Sequence, residues 1–191
     1  LLPVIPPAAA RAPLPEVTPA EGAKRATVGL LTGCIQQVAF GPHNRATARV
    51  LAQNGIDFGR RSAGLPGSAT QVWLGDSMGE MAAYYTLADV AFIGGSLLPL
   101  GGQNLIEAAA CGCPAIVGPH TFNFLQATED AIAAGAARRV EDETGLATAI
   151  SQAFGNAGEL AEMRTAALRF AAAHRGATQR TVAVIRAAIA E

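Results

Sequence analysis

Apolar and polar positions follow a strand, turn and helix rhythm from about residue 71 to residue 139. Short apolar runs at 71–74, 89–93, 114–117 and 137–140 read as buried strands. Between and after them, 79–87, 103–111, 124–134 and 143–154 space their apolar residues for helices, with Gly135 ending the third. From residue 158 on, Leu160, Met163, Ala167 and Phe170 keep helical spacing in an alanine-rich background, and Gly176 divides the stretch into two helices. A helix after every strand predicts a parallel sheet covered on both faces.

The front of the chain is less regular. A β-like run at 27–31 leads to a helical pattern over 44–54, closed by Gly55, and residues 56–58 start another strand. Ser62, Gly64, Pro66, Gly67 and Ser68 make the stretch 60–70 a loop. Pro3, Pro6, Pro7, Pro13, Pro15 and Pro19 forbid a helix at the start, so residues 1–25 read as a Pro/Ala-rich tail or linker. Residues 26–191 then form one Rossmann-like domain, and a chain opening on Leu1 reads as a fragment.

Composition narrows the function classes. The 14 Lys and Arg against 15 Asp and Glu leave a net charge of −1, so no broad basic face addresses nucleic acid or an acidic membrane surface. Cys34, Cys111 and Cys113 are too few and too irregular for a disulfide framework. Cys111-Gly112-Cys113 has no second pair at zinc spacing, so it reads as small core residues and no metal site is assigned. No uninterrupted apolar run reaches the roughly 18 residues of a membrane span, and the N-terminus lacks the pattern of a signal peptide.

Candidate chemistry gathers where the strand at 89–93 enters Gly94-Gly95-Ser96 and, past Gly101-Gly102, the helix that begins near Gln103. Open α/β sheets bind ligands at the carboxyl ends of such strands. Glycine lets a ligand reach the backbone, and a helix start offers N–H groups to an anion. Ser77-Met78-Gly79-Glu80 and Asn104-Leu105-Ile106-Glu107 each have the spacing of a helix cap with an acid three residues on. That spacing explains both structurally, while a carboxylate on a first turn could equally accept two ribose hydroxyls. Gly95, Ser96 and Gly102 fit either a tight turn or a close approach to phosphate, and His120 and Asn123 line the next loop at the same edge.

These segments together resemble a known family. Gly75-Asp76-Ser77-Met78-Gly79-Glu80-Met81, Tyr85, Gly94-Gly95-Ser96, Gly101-Gly102-Gln103-Asn104, Glu107 and Gly118-Pro119-His120-Thr121-Phe122-Asn123-Phe124 are similar in order and spacing to the C-terminal half of bacterial Kdo transferases. Those enzymes move 3-deoxy-D-manno-octulosonic acid (Kdo) from CMP-Kdo to the lipid A precursor of lipopolysaccharide. The resemblance, from about residue 60 on, implies the C-terminal, donor-binding half of a GT-B glycosyltransferase. It assigns Met78, Gly79, Glu80, Asn104, Leu105, Ile106 and Glu107 to the CMP moiety, Leu105 and Ile106 mostly through backbone and packing.

Further expectations follow from the same resemblance. No cofactor is implied, and this chain supplies no catalytic base. The base, the lipid A-binding surface and the membrane anchor belong to an N-terminal transferase domain that the chain lacks. The full enzyme works at the cytoplasmic face of the bacterial inner membrane, and this chain is expected to be soluble. The family's Pro-Arg-His segment has only Gly41-Pro42-His43-Asn44 as its counterpart, without the arginine. Residues 27–58 instead resemble the cysteine-rich domain of the glycolate oxidase iron–sulfur subunit, which leaves a non-catalytic module or gene fragment as the alternative. A nicotinamide or flavin oxidoreductase is disfavoured, because no Gly-x-Gly-x-x-Gly follows the first strand.

Overall fold

In a computed structural model, the described residues are 56–75 and 79–189, together with the strands β1 (Val17–Thr18) and β2 (Val28–Leu31). The helix expected at 44–54, Cys34, the 41–44 segment and Met78 lie outside them. The chain divides into two compact units, residues 1–80 and 81–191.

In the first unit, β3 (Phe58–Arg60) and β4 (Val72–Gly75) run parallel, with Phe58 opposite Val72. Strand β2 adds in parallel on the far side of β4, and β1 pairs antiparallel with β3, giving the order β1-β3-β4-β2. Period-two alternation buries Phe58, Val72 and Leu74 in one cluster while Trp73 between them is half-buried.

The second unit carries the expected rhythm: α1 (Met81–Leu87), β5 (Ala91–Phe92), α2 (Ile106–Ala110), β6 (Ala115–Val117), α3 (Leu125–Ala133), β7 (Ala137–Arg139), α4 (Glu143–Gly155), α5 (Ala157–Ala173) and α6 (Ala177–Ile189). Strands β5, β6 and β7 form a parallel sheet in that order.

Both faces of the second sheet are covered. Ala115 and Val117 pack into a core with Ala109 of α2, Ala131 of α3 and Phe170 of α5. Ile116, one residue out of step, enters a different cluster with Val140 and Ala149 of α4. The predominance of alanine on the covering helices lets them approach closely, with small side chains filling the space. Asp142 caps α4 by accepting the Gly145 N–H at 2.7 Å, and Asn156 caps α5 from Glu159 N at 3.1 Å. Among the described residues, no helix is long and apolar enough to cross a membrane.

Candidate functional site

The carboxyl ends of β5 and β6 open into two loops, residues 94–105 and 118–124, which are bonded to one another. Ser96 is the first tie. It is fully buried, its hydroxyl donates to Ile93 O at 2.5 Å and accepts the Gly118 N–H at 2.8 Å, and its carbonyl accepts from His120 N at 2.9 Å. Its proton is committed to the Ile93 carbonyl, so the hydroxyl ties the two loops together. Gly118 must be glycine, because a Cβ there would overlap the Ser96 carbonyl.

Asn123 is the second tie. Its backbone N–H donates to Gly101 O at 3.1 Å, and its Nδ2 donates to Leu100 O at 3.2 Å and to Gly102 O at 3.4 Å. Gly95, Gly101 and Gly102 all have positive φ, and Gly102 N donates back to Gly95 O at 3.1 Å. The glycines thus shape the loop itself. His120 is half-buried, and its backbone N–H holds the Ser96 carbonyl.

The tetrad 104–107 follows directly. Asn104 Oδ1 accepts from Ile106 N at 3.0 Å and its Nδ2 donates to Glu107 Oε1 at 3.0 Å. The carboxylate of Glu107 is consequently oriented by a side chain rather than by the backbone N–H that a capping box would supply. Glu107 is exposed, while Leu105 between the two polar residues is buried in the main core and Ile106 packs against it. Helix α2 has only five residues, so a helix dipole adds little here and the polar side chains dominate.

In the first unit, Gly79 is exposed with φ +78, and Glu80 precedes α1 instead of lying in its first turn. The Glu80 carboxylate accepts from Arg61 Nη2 at 2.8 Å, and Ser77, the cap read from the spacing, lies outside the described residues.

A cavity of about 420 Å³ beside Gly95 is walled by Phe92, Leu97, Leu98 and Leu100 and rimmed by Glu141, Asp142 and Glu143. Its carboxylates disfavour phosphate, and no residue of the tetrad lines it. Closer to Glu107 lies Tyr85, whose phenol is pushed up to about 12 by burial first and by the Glu107 charge second. Burial likewise pushes the Cys113 thiol up to about 11.

Arg139, given no role in the sequence reading, donates through Nη2 to Thr121 Oγ1 at 3.3 Å and to Glu129 at 2.9 Å. It ties the end of β7 to the second loop, and its place as the last residue of a parallel strand is the signal that marks it.

No protein-family model matches the chain. In sequence it is similar to 3-deoxy-D-manno-octulosonic acid transferases. It is 53% identical to that of Bordetella pertussis over 138 residues, 71% of this chain and 32% of the relative. It is 50% identical to that of Haemophilus influenzae over 78 residues, 40% of this chain and 18% of the relative. In structure it is similar to the C-terminal CMP-Kdo binding domain of WaaA from Acinetobacter baumannii, with a TM-score of 0.62, 27% identity, and coverage of 76% of this chain and 89% of that domain.

The chain thus spans about a third or less of the length of the transferases it matches. The architecture is the α/β arrangement of the C-terminal half of a GT-B enzyme, and the resemblance to Kdo transferases is favoured over that to the glycolate oxidase subunit.

Proposed function

We propose that this chain provides the CMP-binding part of a Kdo transferase acting in lipopolysaccharide synthesis, with residues 26–191 as one nucleotide-sugar-binding domain. The observation that carries the reading is the likeness to a CMP-Kdo binding domain over most of both chains. The tetrad gives it a chemical basis. Asn104 holds the exposed Glu107 carboxylate in place, and a carboxylate so held can accept hydrogen bonds from both hydroxyls of a ribose. Met78, Gly79 and Glu80 are assigned to the nucleotide by the same motif resemblance and stand as a separate proposal.

In the reaction, an acceptor hydroxyl on the lipid A precursor attacks the anomeric carbon of Kdo as the bond to the CMP phosphate breaks. Its proton passes to a carboxylate base. This chain holds the departing nucleotide, and we assign the base, the lipid-binding surface and the membrane contact to an N-terminal transferase domain. The chain alone is expected to bind CMP weakly and to transfer nothing.

Calorimetric titration of the purified chain with CMP tests this. Glu107→Ala is expected to weaken binding at least about tenfold, the scale of one lost charge-assisted hydrogen bond. Glu107→Gln, which keeps one acceptor, should fall between. No heat from the unsubstituted chain, or equal heat from Glu107→Ala, would reject the reading.

A further inference from the structure

Asn123 sits in the short 3-10 turn Phe122–Phe124, 16 residues past Glu107 and not bonded to the tetrad, yet three of its hydrogen bonds end on the loop that leads there. Both protons of its side-chain amide are directed at loop carbonyls, those of Leu100 and Gly102, and its backbone N–H takes the carbonyl of Gly101 between them. The fit is tight: a Cβ built at Gly101 would overlap the Asn123 amide and come within 2.6 Å of the Phe122 ring. Gly101 and Gly102, at φ +89 and +72, are consecutive residues that no side chain of their own restrains. Fixing each costs backbone entropy, which is largest for glycine. Asn104 follows two residues after this pair.

We propose that Asn123 is a positioning residue: it locks the Gly101-Gly102 turn and thereby sets Asn104 and Glu107 before nucleotide arrives. The proposal rests on the CMP reading and deepens it, moving Asn123 from the lining of the site to its support. Its amide donors are already used on the loop, so it acts through the backbone that carries the tetrad. A locked loop removes ordering cost from the binding step.

Two measurements on the full chain test this: CMP affinity by calorimetry, and amide hydrogen exchange of the ligand-free protein. Asn123→Ala is expected to weaken CMP binding about tenfold, as for loss of a preorganising pair of hydrogen bonds. It should also speed exchange at Gly102 N, bonded to Gly95 O, and at Ile106 N, bonded to Asn104. Exchange at Ile93 N and Val140 N, which pair with sheet carbonyls, should not change.

Gly101→Ala, which displaces the amide from the opposite side, should reproduce both effects. The double variant should be no worse than either single, because one clasp is broken in each case. Weakened CMP binding with unchanged exchange would make Asn123 a direct ligand contact and overturn the proposal, as would faster exchange with unchanged affinity. If the unsubstituted chain gives no CMP heat, the nucleotide reading falls, and the exchange data alone decide whether Asn123 sets the loop.

Discussion

Tyr85 and Cys113 share a small apolar cluster with Ala108, where α1 meets α2, and both are buried. An unfolded chain would release these protons near pH 10 and pH 9, whereas the folded protein holds them to about 12 and about 11. Raised values favour the protonated, folded form, so this stabilisation is fully present below about pH 9 and is lost as the pH rises through about 11 and 12. Melting temperature followed from neutral to alkaline pH should therefore decline over that window. Tyr85→Phe and Cys113→Ala should each flatten part of the decline, and a wild-type profile no steeper than Tyr85→Phe would contradict it. At the same scale, the sequence made Cys113 legible as a core residue because its small apolar side chain sits in an apolar run. The ion pair of Glu80 was not legible. Its partner Arg61 is 19 residues away, and nothing in a local four-residue pattern points there.

Among the elements, the joint between β5 and β6 depends on one hydroxyl and one missing Cβ. Ser96→Ala would strand the Gly118 N–H in a buried position, costing about 1–3 kcal/mol. Gly118→Ala should cost more, because a methyl group would have to displace the Ser96 carbonyl and Leu97 N, the latter within 2.6 Å. Urea midpoints at constant slope would show that order, and a Gly118→Ala midpoint at the wild-type value would refute it. The strands themselves were readable from the sequence, since apolar runs bounded by glycine and proline have few alternatives. Which way each residue faces was not, because β6 is apolar throughout and buried on both sides. Helix α2 came out shorter than its pattern, Ile106–Ala110 in place of 103–111. Consecutive left-handed glycines at 101–102 and an asparagine that bonds two residues ahead delay its start, and neither is a matter of hydrophobic spacing.

For the molecule as a whole, α6 contributes little to any of the cores. Val182, Val184, Ile185 and Ile189 are all exposed, and none enters a core cluster. A chain ending after Arg175 should thus keep its thermal transition to within about 1 kcal/mol, while becoming more soluble as apolar surface is removed. A loss of several kcal/mol by scanning calorimetry would show that the helix is integral. The sequence located this helix and the Gly176 break before it, but amphipathic spacing alone does not tell a covered stripe from a bare one.

Leu105 gives the proposed site a property that its exposed neighbours do not suggest. It is anchored in the interior with Ile93, Val117 and Phe170 while Asn104 and Glu107 flank it at the surface. A guest held by those two would be moored to the keel of the domain, so its departure and the loosening of the hydrocarbon beneath would be one event.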